Sequence, residues 1–152
     1  HQRKGEGELA GVYNRGKYII ADSSLVWTSD TIQALLVDSS YVYDPDDNFV
    51  SDISGELTDG SYARQTLGSK SVTEDDTNDR AAMLAAPVDY GALDNETPAG
   101  MVFFKSVTND ADSPLIAFFD GGFGAAANGA GYVVNGEGAS DNEWVYLADC
   151  EP

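Results

Sequence analysis

The chain has 152 residues, 42% of them hydrophobic, and carries 26 Asp and Glu against 8 Lys and Arg for a net charge of −18. That length and apolar content suit one domain with its own core and argue against a disordered tail. The acidity sets the body against nucleic acid and anionic membranes as partners. The longest apolar runs, Ala81 to Ala86 and Leu115 to Phe119, fall far short of the about 18 residues of a membrane-crossing helix.

The N-terminal segment differs from the rest. Arg3, Lys4, Arg15 and Lys17 against Glu6 and Glu8 leave residues 1–17 at net +2, and residues 18–152 at −20. This split predicts a polar arm over residues 1–11 and a single β domain over residues 12–152. The arm is either a solvated terminus or a strap that reaches an acidic neighbour. In the second case Arg3, Lys4, Arg15 and Lys17 are the candidate inter-subunit contacts. The chain begins at His1 rather than methionine, so its start is expected to be processed or to lie upstream. The first eight residues carry no apolar side chain, so no secretory signal is expected within them.

Short runs rich in Val, Ile, Tyr and Phe then predict strands over Tyr13 to Ala21, Ile32 to Asp38, Tyr41 to Tyr43, Tyr62 to Leu67 and Ser71 to Glu74. More follow over Arg80 to Ala86, Met101 to Val107, Leu115 to Phe119, Tyr132 to Val134 and Trp144 to Leu147. Turn-forming clusters such as Asp44-Pro45-Asp46-Asp47 and Asp75-Asp76-Thr77-Asn78-Asp79 separate them. Apolar residues at 49, 50, 53 and 57 have helical spacing and predict one short helix closed near Gly60. The alanines of Ala81 to Ala86 favour helix, but their place after an Asp-rich turn makes them the return strand of a hairpin with Ser71–Glu74. Seven glycines between Gly121 and Gly138 weaken any strand there. The fold class is therefore all-β: an antiparallel sandwich or barrel of about 8–10 short strands, one short helix and an extended N-terminal arm.

The chemistry-bearing residues point away from catalysis. The lone histidine is His1, so a Ser-His-Asp triad or a histidine metal site is not expected. The lone cysteine, Cys150, can form no internal disulfide. With 26 carboxylates some pair meets any spacing, so no glycosidase-like dyad can be singled out. The acidic turns, one with Asp44, Asp46 and Asp47 and one with Glu74, Asp75, Asp76, Asn78 and Asp79, lack the EF-hand pattern and read as solvated turns, not as calcium loops. Gly121-Gly122-Phe123-Gly124 lacks the Lys-Ser/Thr of a phosphate loop. Eight tyrosines with Trp27 and Trp144 could line a sugar-binding face, but in a β domain they belong first to the core and to cross-strand pairs. Asn95-Glu96-Thr97 is formally a glycosylation sequon, although Pro98 follows it. No cofactor or metal is expected.

One ordered series stands out. It runs from Trp27-Thr28-Ser29-Asp30-Thr31-Ile32-Gln33-Ala34-Leu35-Leu36-Val37-Asp38-Ser39-Ser40-Tyr41 through Phe49-Val50-Ser51-Asp52-Ile53-Ser54-Gly55-Glu56-Leu57 and Tyr62-Ala63-Arg64-Gln65-Thr66-Leu67. It continues with Val72-Thr73-Glu74-Asp75-Asp76-Thr77-Asn78-Asp79-Arg80, Val102-Phe103-Phe104-Lys105 and Ser113-Pro114-Leu115-Ile116-Ala117-Phe118-Phe119-Asp120. Over residues 12 to 123 the chain resembles a family of small virion structural proteins of tailed bacteriophages. The resemblance implies a structural role, not a catalytic one: a capsid decoration (cement) protein on the outer surface of the virion. Its expected partners are copies of itself, as a trimer, and the major capsid protein. Residues 1–11 and the glycine-rich stretch after Phe123 depart from the family pattern. A tail or fibre module that binds a host-surface glycan is the alternative, and a subunit of an extracellular filament a further one.

Overall fold

The computed structural model describes residues 8–94, 96–123 and 128–149. Its strands are β1 (Glu8–Val12), β2 (Ile32–Val37), β3 (Gln65–Thr66), β4 (Ser71–Asp75), β5 (Arg80–Leu84), β6 (Val88–Asp94), β7 (Gly100–Lys105), β8 (Leu115–Gly121), β9 (Asn128–Val134) and β10 (Glu143–Ala148), with one α-helix, α1 (Asn14–Ala21). All pairings are antiparallel, in a five-stranded sheet ordered β1-β8-β7-β2-β3, a three-stranded sheet β10-β5-β4 and a two-stranded ribbon β6-β9. The chain is an all-β protein with a sandwich-like core. Among the described residues no helix is long and apolar enough to cross a membrane.

The central sheet is buried on both faces. On β2 the alternate residues Ile32, Ala34 and Leu36 face one apolar cluster, while Leu35 and Val37 face another. Strand β7 divides its residues the same way, Met101 and Phe103 against Val102 and Phe104. Period-two geometry sends neighbouring side chains to opposite faces, so a strand covered on both sides must be apolar at nearly every position. That is why Leu115 to Phe119 and Met101 to Phe104 read as unbroken apolar runs. The larger cluster is centred on aromatic rings: Phe103 lies 4.6 Å from Phe119 and 5.1 Å from Trp144, centroid to centroid. Such pairs contribute about 0.5–1.5 kcal/mol each beyond the area they bury. The polar edge of each indole is also satisfied, since Trp27 Nε1 donates to Leu84 O and Trp144 Nε1 to Ala85 O, both at 2.9 Å.

The opposite face of the sheet is closed by a loop. Val50 and the Tyr41 ring join the second cluster, and Tyr43 stacks on Phe118 at 5.5 Å with ring planes 7° apart. The loop is laced to the start of β8 by Val50 N–H to Ser113 O at 3.0 Å and Leu115 N–H to Asn48 O at 2.9 Å.

The hairpin of β4 and β5 forms as expected, with Ser71 opposite Leu84 and Asp75 opposite Arg80. Five expectations need correction, and one is the strand expected over Tyr62 to Leu67, of which only Gln65–Thr66 pairs in a sheet. Residues Tyr13 to Ala21 are helix, not strand: Gly16 and Ile19 are buried at helical spacing, and Asn14, Lys17 and Tyr18 point outward. The helix expected over Phe49 to Leu57 shrinks to a 3₁₀ turn, Val50–Asp52. The Asp52 carboxylate caps that turn by accepting the N–H groups of Asn48 and Phe49 at 2.9 and 3.1 Å, and Gly55 then takes a left-handed φ of +78° that helix cannot continue through. Tyr41 to Tyr43 is loop. The arm boundary at residue 11 falls inside β1, which pairs with β8 along Leu9 to Phe119 and Val12 to Ala117. Strand β6 was not anticipated at all, because Pro87 and Gly91 interrupt its pattern.

Candidate functional site

Helix α1 is the least acidic element on the surface. It holds Arg15 and Lys17 and no carboxylate, in a chain of 26 acidic residues. Its start is fixed from the loop beside it: Asn14 N–H donates to Pro45 O at 2.9 Å, and Asn14 Nδ2 donates to Asp46 Oδ1 at 2.7 Å. Its buried side rests on β8, where Gly16 passes so close to the Ile116 backbone that no Cβ would fit.

Of the four basic residues expected to make inter-subunit contacts, Arg15 and Lys17 lie on this helix. Arg3 and Lys4 lie outside the described residues, as do His1, Asn95 and Cys150. Arg15 and Lys17 sit in different surroundings. The Arg15 guanidinium is held by aromatic rings, its Cζ 5.1 Å from the Phe49 centroid and 5.4 Å from that of Tyr18. Among the described residues it makes no ion pair, and its Nε is buried with no hydrogen-bond partner. Beside it lies a shallow polar hollow of about 360 Å³ lined by Asn14, Arg15, Tyr18 and Asn48. Tyr18 is 58% exposed and is the only exposed aromatic side chain among the described residues.

Lys17 borders a groove of about 440 Å³ whose apolar floor is Val12, Ile20, Tyr146 and Leu147 and whose lining also includes Asp79 and Asp149. Through Ile20 and Leu147 the groove adjoins a second of about 330 Å³ that reaches Val26, Val72 and Met83. Here the core-facing side of the three-stranded sheet runs past its cover, which leaves Val26, Val72 and Leu147 about half exposed.

Two polar networks stabilise the loops. Arg64 forks onto Glu56 through Nε and Nη2, both at 2.8 Å, and onto Asp110 through Nη1 at 2.8 Å, with Cζ 5.4 Å from the Phe104 centroid. These bonds hold the Asp110 carboxyl below the usual range. Glu56 also accepts from Tyr62 Oη at 2.6 Å. In the second network Tyr13 and Tyr41 share a hydrogen bond of 2.8 Å between hydroxyls, and Tyr41 donates to Asp47 Oδ2 at 2.9 Å. Burial pushes both tyrosines well above their ordinary range and raises Asp47 too. The remaining carboxylates of the two acidic turns largely shape the chain: Asp44 accepts Asp46 N–H at 2.9 Å, and Asp75 accepts Asn78 Nδ2 at 2.8 Å and Arg80 Nε at 3.1 Å. Among the described residues no three His, Cys, Asp or Glu side chains converge as metal ligands would.

Sequence reasoning singled out Arg15 as a candidate inter-subunit contact but missed the residues around it. Tyr18 follows Arg15 at helical spacing, a signal hidden while the segment was read as strand. Asn48 and Phe49 come from a loop 30 residues away in sequence, and no local pattern announces them. Comparison with family models, with curated proteins and with solved structures returns no match.

Proposed function

We propose that this protein is a virion structural protein, a capsid decoration protein that adheres as a trimer to the outer surface of a tailed-phage head and contacts the major capsid protein. The observation that carries this reading is where the family-like segments lie. Trp27 to Tyr41 supplies β2, Val102 to Lys105 most of β7, and Ser113 to Asp120 most of β8, three neighbouring strands of one sheet. Phe49 to Leu57 bridges to both ends of that unit, Phe49 to Pro114 and Glu56 to Val37. Tyr62 to Leu67 adds β3 at the edge of the same sheet, while Val72 to Arg80 belongs to the β4–β5 hairpin of the three-stranded sheet, so most but not all of the series falls on one frame.

Other features support a structural role over recognition by an aromatic face. Fifteen of the 16 aromatic side chains are buried or partly buried, as a scaffold requires. The acidic surface keeps crowded particles apart. A head-to-tail trimer closes a ring and leaves no growing end.

The test is oligomeric state and affinity for empty capsids, measured with the whole chain and with residues 1–7 removed. The cut stops at residue 7 because β1 begins at Glu8, so a longer deletion would strip an edge strand from the sheet. Trimers that bind capsids, and bind them less well without the basic segment, are the expected result. A monomer indifferent to capsids would end this reading.

A further inference from the structure

We infer that the hollow at the start of α1 is a binding site for a neutral pyranose sugar, with Tyr18 as its stacking platform. The case rests on the kinds of group gathered there. A pyranose presents a patch of C–H bonds on one face, which packs on an exposed aromatic ring, and a rim of hydroxyls that both donate and accept. Tyr18 supplies the ring, 58% exposed where the other described aromatics are covered. Asn14, Arg15 and Asn48 line the same hollow. The Asp46 carboxylate reaches its edge through the bond to Asn14. Amides offer donors and acceptors, guanidinium donors only and carboxylate acceptors only, so the set can serve hydroxyls of either sense.

Preorganisation makes this arrangement more than a chance dent. The guanidinium lies against both the Phe49 and Tyr18 rings and so fixes the platform from within. Its Nε–H is shielded without a partner, and in a chain of net charge −18 it pairs with no described carboxylate. The Asn48 backbone is held on two sides, its carbonyl by Leu115 N–H at 2.9 Å and its N–H by Asp52 Oδ2 at 2.9 Å. The hollow, about 360 Å³, lies at the small end of ligand sites, which run from about 300 to 1,000 Å³. No carboxylate lines the hollow, and Asp46, at its edge, is bonded to Asn14. An open site of this size binds one ring weakly.

This inference stands apart from the decoration reading, since it concerns the isolated chain. The experiment is saturation-transfer NMR on the whole protein with the methyl glycosides of glucose, galactose, mannose and N-acetylglucosamine. At least one glycoside should receive saturation through its ring protons. Tyr18→Ala should weaken that binding about tenfold, and Tyr18→Phe, which keeps the ring, should retain it. Asn48→Ala should also weaken it, with an unchanged amide fingerprint as the control for folding. No transfer to any glycoside, or equal transfer in Tyr18→Ala, would overturn the proposal.

Discussion

Tyr90 carries a buried hydroxyl with no hydrogen-bond partner among the described residues. Its ring is 4% exposed and stacks on Tyr62 at 6.1 Å, so the ring contributes to the core while the oxygen costs desolvation. Tyr90→Phe removes the oxygen alone and is expected to leave stability unchanged or raise it by about 1 kcal/mol, read from the urea midpoint. Trp144 presents the reverse case. Its indole N–H satisfies Ala85 O, so Trp144→Phe leaves a buried acceptor unpaired and a gap beside Phe103, at a cost of about 1–3 kcal/mol. Arg64 is a third kind of residue: its planar fork meets two carboxylates at once, which a lysine ammonium cannot do. Arg64→Lys keeps the charge but should lower stability by about 1 kcal/mol, and an equal melting curve would show that the fork contributes nothing.

At the scale of elements, α1 depends on one absent side chain. Gly16 lets the helix lie on the Ile116 backbone of β8, and a methyl group there would have to push helix and strand apart. Alanine is the better helix former by about 1 kcal/mol, yet crowding a packed site typically costs about 1–3 kcal/mol. Gly16→Ala is therefore expected to destabilise, visible as a lower thermal midpoint despite the higher propensity. The same residue explains why α1 was illegible in the sequence. Tyr13, Tyr18, Ile19 and Ile20 have strand propensity, and tertiary packing on β8 overrides it. Strands β2, β7 and β8 were legible because double burial makes them continuous apolar runs. Strand β1 was not, because Glu8, Gly11 and the charges before it resemble a solvated terminus; its place is set by pairing with β8. The β4–β5 hairpin was readable from its Asp-rich turn alone. Of the candidate site, only Arg15 was legible. The hollow joins a helix to a loop, and a site assembled from distant segments leaves no periodicity to read.

Across the whole molecule, proton linkage sets the limits of stability. Tyr13, Tyr41, Tyr62 and Tyr90 are all raised, chiefly by burial, from the ordinary value of about 10. Below about pH 10 they are protonated in both states and their packing is fully retained. As pH rises beyond that, the unfolded chain loses these protons and the native one holds them, so the slope of stability against pH is negative and the fold weakens. The charge of −18 adds self-repulsion in the same direction. On the acid side the sign reverses for Asp110, lowered by its bonds to Arg64, and for Asp38, lowered by Ser40. Their contribution is present above the unfolded value of about 3.9 and is lost as pH falls through the folded values. Asp47, raised by burial, works against them, since its protonation on acidification favours the native state. The expected profile is a broad plateau, a gentle acid shoulder and a steep alkaline fall. Urea midpoints across pH, followed alongside tyrosinate absorbance, check it: the share of tyrosinate contributed by the buried phenols should appear together with unfolding rather than ahead of it. Tyr90→Phe removes one of the raised hydroxyls and should make the alkaline fall shallower while leaving the acid shoulder in place. A fall of unchanged slope in that variant would mean that charge repulsion, and not the buried phenols, unfolds the protein at high pH.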